Sequence, residues 1–143
     1  MGDKVQRLII LRGLPASGKS TWGEKYCDMN PDTVRVCRDN IRAMLVPNFN
    51  HGGPMEVLVT TIEENCIKNA LDAGYSVVVD ATNFRGINRF YGLIPLENNE
   101  IEVEIKDFDI DLQTCIQRDA QRAKPVGKLV IETMYKKYLL DDE

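Results

Sequence analysis

Gly13-Leu14-Pro15-Ala16-Ser17-Gly18-Lys19-Ser20-Thr21 lies close to the start of this 143-residue chain. It fits G-x-x-x-x-G-K-[ST], a loop that cradles phosphate. Its two Gly let the backbone curl so that successive N–H groups point into one concavity. Gly13, Pro15, Ala16, Ser17, Gly18, Lys19, Ser20 and Thr21 are therefore candidate nucleotide-binding residues. Lys19 can reach the β- and γ-phosphates of ATP, and the Ser20 hydroxyl can ligate Mg²⁺. A helix that starts where the loop ends adds its positive dipole end to the same point. The flanks suit the motif: residues 7–11 are an apolar, β-branched run that predicts a buried strand, and residues 21–27 can continue as helix in spite of Gly23.

Further along, Asn30-Pro31-Asp32 marks a turn and residues 33–37 alternate as a strand. A short helix over 41–45 follows, capped by Asp39 or Asn40 and stopped by Pro47. Residues 48–54 are either a plain connector or the rim of a substrate channel. A long helix over 55–73 carries a stripe of Leu58, Ile62, Cys66 and Ala70, widened by Val59, Ile67 and Leu71, and ends at Gly74. Residues 75–80 suit a strand buried on both faces. Residues 86–96 read as a helix broken near Pro95, and 101–105 alternate strictly, as an edge strand does. Two helices close the chain, 111–123 with Asp111 as N-cap and 128–140 with Val130, Met134, Tyr135 and Tyr138 on one side, before a frayed acidic end at 141–143. This order predicts a single α/β domain over 1–143. Its expected form is a three-layer P-loop kinase fold: a parallel sheet of about four strands, helices on both faces and a helical lid. Parallel strands put their C-terminal ends on one edge, so the P-loop, Arg38-Asp39 and residues 80–83 converge there.

Asp39 follows the second strand, where a carboxylate facing the γ-phosphate can accept the proton of an acceptor hydroxyl. It is a candidate catalytic base or only a helix cap. Arg42 lies three residues on and shares the side of Asp39 if the segment is helical. Its guanidinium fork suits an acceptor phosphate, with Arg38 as a further cation beside it. Asp80 stands at a Walker-B position and either meets Mg²⁺ through water or pins the P-loop. Ala81-Thr82-Asn83 is not D-x-x-G, and no N-K-x-D occurs, so a regulatory GTPase is not expected. Arg118 and Arg122 fall at i and i+4 of one predicted helix, ahead of Lys124-Pro125-Val126-Gly127. They read either as a lid that closes over ATP and supplies an arginine in cis or as surface arginines beside Asp119.

The net charge of −4 argues against a general nucleic-acid coat and confines any polyanion contact to a local basic patch. Cys27, Cys37, Cys66 and Cys115 form no C-x-x-C pair and His51 has no ligand partner at a known spacing, so zinc is not expected. Reduced thiols and a cytoplasmic setting are the expectation for a nucleotide-dependent enzyme. No apolar run approaches a membrane span, and residues 1–6 do not read as a signal peptide.

Several of these segments combine into a known pattern. The P-loop followed by Trp22, Arg38-Asp39-Asn40-Ile41-Arg42, a strand ending in Thr82-Asn83, and Arg118-x-x-x-Arg122 before a final Met-Tyr-Lys helix resemble the 5′-kinase domain of phage polynucleotide kinase over nearly the whole chain. The resemblance implies an ATP- and Mg²⁺-dependent kinase whose acceptor is the 5′-hydroxyl end of a nucleic acid, in a repair setting. It implies that Asp39 acts on that hydroxyl, that Arg42 holds the acceptor phosphate, and that Arg122, with Arg118, clamps the donor. It also implies that Thr82 lines the acceptor site and Val126 packs on the acceptor base. That family carries an acidic residue directly before Thr-Asn. Here the place is Ala81 and the acid is Asp80, as in the broader class of small P-loop kinases with Asp-Ala-Thr-Asn. The family's fused phosphatase has no counterpart in this sequence, so no 3′-phosphatase activity is expected, and its oligomeric state does not carry over. Three readings stand: a polynucleotide 5′-hydroxyl kinase for DNA or RNA; a kinase for another hydroxyl, on a hydroxymethylated base, a nucleoside or a small metabolite; and a nucleotide-binding regulatory or toxin-like module with little turnover. Arg35, Arg38, Arg42, Arg85 and Arg89 favour the first, and the acidic net charge favours the other two.

Overall fold

The apolar run ahead of the P-loop is β1 (Arg7–Gly13) in the computed structural model, which describes residues 5–46, 53–96 and 100–140. After it come α1 (Lys19–Met29), β2 (Thr33–Cys37), α2 (Arg38–Leu45), α3 (Met55–Asp72), β3 (Ser76–Asp80), a 3₁₀ segment (Ile87–Leu93), β4 (Glu102–Phe108), α4 (Leu112–Ala120) and α5 (Lys128–Tyr138). Pro47, residues 48–52 of the loop expected over 48–54, His51 among them, and the acidic end at 141–143 lie outside the described residues. No helix among the described residues is long and apolar enough to cross a membrane.

The four strands pair in parallel in the order β2-β3-β1-β4. Strand alternation sorts the core into two layers. Leu8 and Ile10 of β1, Val77 and Val79 of β3 and Val36 of β2 pack with Val59, Ile67 and Leu71 of α3 and with Phe90. Ile9, Leu11 and Val78 face the other way, onto Trp22, Tyr26 and Cys27 of α1. β3 is buried at every position, as its apolar composition predicts, whereas β4 mixes exposed and half-buried residues, with Glu104 and Ile105 both exposed. β4 pairs with β1 alone among the described strands, and Arg7 and Arg12 meet Glu102 and Asp107 across that ladder. A third cluster of Leu14, Cys115 and Ile131 fastens α4 and α5 beside the P-loop.

Four local expectations need correction. The buried stripe of α3 is Val59, Glu63, Ile67 and Leu71, whereas Leu58 and Cys66 are exposed. The helix is rotated by about one residue position because the Glu63 carboxylate is taken inside by arginines. α2 starts at Arg38, so Asp39 lies within its first turn and is not its N-cap; the N-cap is Cys37, with no side-chain cap bond. The segment after Gly86 is a single 3₁₀ run. α4 stops at Ala120, so Arg118 lies in its last turn and Arg122 beyond it.

Candidate active site

The P-loop closes because β1 ends where nothing larger than Gly fits. A Cβ at Gly13 would stand 2.9 Å from Ser17 Oγ and 3.0 Å from Phe108 Cβ. Gly18, at φ 101°, then turns the chain into α1, and Ala16 is held at φ 63°, a conformation that costs energy away from Gly. Lys19 opens the helix with its side chain folded inward. It is 7% exposed, and Nζ donates to the Leu14 carbonyl at 2.7 Å. Burial lowers its ammonium pKa to about 8, against the opposing pull of Asp80 and Asp39.

Asp80, at the end of β3, accepts from Ser20 Oγ at 2.8 Å and from Arg35 Nε at 2.9 Å. It therefore touches the phosphate loop directly. The turn that follows is tied to β1: Asn83, at φ 53°, donates from Nδ2 to the Leu11 carbonyl at 2.6 Å, and the Gly13 amide donates to the Thr82 carbonyl at 3.2 Å. Asn tolerates this left-handed geometry better than other side chains do. The tie fixes Thr82 at the mouth of the cleft, next to the P-loop.

On the other side of the cleft, arginines and carboxylates interlock. Arg42 gives Nη1 to exposed Asp39 at 2.6 Å and Nε and Nη2 to Glu56 at 2.9 and 2.8 Å. Arg38 reaches Glu63 at 2.7 Å, Glu56 at 3.0 Å and Thr60 at 3.1 Å. Arg89 reaches Glu63 and Glu64, each at 2.8 Å. Glu63 is wholly buried; both arginines converge on Oε1, while Oε2 has no hydrogen-bond partner. Hydrogen bonds from Arg42, and then from Arg38, lower the pKa of the Glu56 carboxyl to about 2 against the opposing effect of burial. Glu56 and Glu63 were missed in the sequence. The available signal was an acid at the i+4 step between Val59 and Ile67, in the middle of an apolar face.

The segment after α4 is stapled by Asp119. This buried carboxylate accepts from the Val126 and Gly127 amides at 2.9 Å each and from Arg122 Nη1 at 3.2 Å. Asp119 thus folds residues 122–127 back on the end of α4. Arg118, Arg122 and Val126 all face one cleft of about 1620 Å³, together with Lys19, Ser20, Asp39, Arg42 and Thr82. Pro15, Ala16, Gly18, Thr21 and Arg38 line it too, while Gly13 and Ser17 are buried behind it. Phe84 stacks on Tyr138 along the α5 wall at 5.1 Å. Among the described residues, nine basic side chains and three carboxylates line this cleft, and Glu63, Glu64 and Asp119 behind it pair with Arg38, Arg89 and Arg122, in a chain whose net charge is −4.

Comparisons with known proteins agree with this architecture. The model of the AAA_33 family, described as an AAA domain, matches residues 8–139. The L-seryl-tRNA(Sec) kinase of Methanococcus maripaludis is 30% identical over 139 residues, which are 92% of this chain and 52% of that protein. The chain therefore spans about half the length of that relative. A chain of the Pnkp1/Rnl/Hen1 RNA repair complex superposes with a TM-score of 0.73 at 25% identity, covering 98% of this chain and 48% of that one. A second structure of the same complex gives 0.68 at 26%, covering 87% and 44%. A gluconokinase from Sinorhizobium meliloti shares the fold at a TM-score of 0.60 and 15% identity, covering 97% of this chain and 77% of that one.

Proposed function

The chain belongs to the AAA_33 family and has a P-loop kinase fold, and we propose that it transfers the γ-phosphate of ATP to the 5′-hydroxyl of a polynucleotide. The observation that carries this reading is the excess of cations in the cleft of an otherwise acidic chain. Small-ligand pockets measure about 300–1,000 Å³. A cleft of about 1620 Å³ has room for a nucleotide and part of an acceptor strand, and its charge suits two polyanions.

Each group has a task in this reading. Lys19 and the P-loop amides bind the donor phosphates. The hydroxyl of Ser20 and the carboxylate of Asp80 are oxygen donors that fit a hard cation. Ser20, with Asp80 through water, would hold Mg²⁺, which supplies charge neutralisation at the β- and γ-phosphates. Asp39 accepts the proton of the acceptor hydroxyl. Glu56 fixes the fork of Arg42 beside Asp39, where it meets the acceptor's own phosphate. Arg122 and Arg118 cover the donor from the lid, Thr82 lines the acceptor site and Val126 packs on its base.

RNA is the polymer to test first, because the similar proteins include a seryl-tRNA kinase and an RNA repair complex. A second reading follows from the former: the acceptor is a hydroxyl of an aminoacyl group carried by tRNA. Transfer from γ-labelled ATP is to be measured with 5′-hydroxyl RNA, 5′-hydroxyl DNA, a nucleoside with and without a 3′-phosphate, seryl-tRNA, and no acceptor. Label on the 5′-hydroxyl ends is expected. Asp39→Asn should lower kcat by roughly 10²- to 10⁴-fold with ADP affinity kept. The 3′-phosphate should improve kcat/KM by roughly 10- to 150-fold, a preference lost in Arg42→Ala. Label confined to seryl-tRNA would install the second reading, and turnover without any acceptor would end both.

A further inference from the structure

α1 carries Gly23 within its second turn, where Ala would serve a helix better. The reason lies beneath it. A Cβ at Gly23 would stand 3.3 Å from Arg35 Cδ and 3.4 Å from Val78 Cγ1. The missing side chain is the gap through which Arg35 passes between α1 and the sheet. From β2, Arg35 brings Nε and Nη2 to one oxygen, Asp80 Oδ2, each at 2.9 Å. Its Nη1 lies 3.7 Å from Glu24 on the outer side. The same Oδ2 accepts from Ser20 at 2.8 Å. Asp80 is 3% exposed, and the Arg35 side chain 15%.

A buried carboxylate directly behind the hydroxyl of a phosphate loop opposes the polyanion that the loop takes. We propose that Arg35 is the fixed counter-charge that lets Asp80 stand beside the phosphate site without repelling the nucleotide, and that it thereby sets how far nucleotide binding depends on a divalent cation. Arg35 is a positioning residue: it acts through Asp80. The proposal rests on the nucleotide-binding part of the function proposed above and on nothing about the acceptor. Its sign follows from charge. With both groups present the pair is neutral. Without Arg35 the Asp80 charge is left with Lys19 alone as a nearby cation, and without the Asp80 charge Arg35 keeps only Glu24 on its outer side, so each single loss shifts the charge behind the phosphate loop by one. Gly23 is the structural condition for this pairing, since a longer side chain there would crowd the Arg35 stem.

The test is ADP binding by calorimetry in EDTA and in saturating Mg²⁺, with melting curves alongside. Arg35→Gln should weaken metal-free ADP binding by about 10- to 100-fold, with a smaller deficit in Mg²⁺. Arg35→Lys, which keeps the charge, should retain most of the metal-free affinity. Asp80→Asn should tighten metal-free binding, and Arg35→Gln combined with Asp80→Asn should return towards wild type. If Arg35→Gln does not fold, Asp80→Asn against the double variant still decides. A ratio of metal-free to Mg²⁺ affinity that stays at the wild-type value while only Tm falls would overturn the proposal. So would a double variant that binds as weakly as Arg35→Gln. Wild-type protein that binds no ADP in either condition would instead overturn the nucleotide-site reading itself, and this proposal with it.

Discussion

Lys19 pays a desolvation cost before any nucleotide arrives. With its pKa lowered to about 8 by burial, it is an ammonium at neutral pH and increasingly a neutral amine above pH 8. A bound phosphate favours the charged form, so the complex must take up a proton in alkaline solution. Nucleotide affinity should be nearly flat below about pH 8 and then fall by up to about tenfold per pH unit until the pKa of the complex is passed. Titration of ADP by calorimetry at several pH values, in buffers of different ionisation enthalpy, would show that uptake; a flat affinity from pH 7 to 10 would refute it. The same shift has a stability side. The folded value lies below the unfolded one, so the folding penalty is present below about 8 and is relieved as pH rises towards 10.5. The candidate role of Lys19 was legible because the spacing of a P-loop fixes its chemistry. Arg35 was legible only as a cation, since its partner is Asp80, 45 residues away.

At the scale of elements, α3 shows what periodicity misses. Stripes 58-62-66-70 and 59-63-67-71 both fit a helix, and apolarity alone favours the first. The second wins because Arg38 and Arg89 draw Glu63 into the core. Removing one member of a buried ionic network leaves the others uncompensated, at about 3–5 kcal/mol. Glu63→Ala should therefore lower Tm by on the order of 10 °C, read by calorimetric melting. A change of a degree or two would mean that the arginines find water instead. The end of α4 was misread for a similar reason. Nothing local stops the helix between Ala120 and Ala123; the Asp119 bonds to the Val126 and Gly127 amides do.

In the molecule as a whole, the alternation of strands and helices was enough to predict a parallel sheet that gathers the P-loop, Arg38-Asp39 and residues 80–83 at one edge. The strand order and the separation of charge were not readable, because a net charge of −4 says nothing of where the cations gather. If the acceptor is a strand running along that cleft, oligonucleotide affinity should fall with salt with a slope of about −0.7 per phosphate contacted, while a nucleoside 3′-monophosphate shows a slope of about one contact. Equal slopes in filter-binding titrations would restrict the site to a single nucleotide. The half-exposed β4 has a different consequence, one for life in a crowded solution. Its outer side is a row of backbone donors and acceptors on which a strand of another chain could template itself, the usual start of aggregation. Glu102, Glu104, Lys106 and Asp107 run along it. A strand docking there would have to accommodate these four charged side chains, two of which, Glu102 and Asp107, are already held by Arg7 and Arg12, and charges along an open edge discourage such pairing.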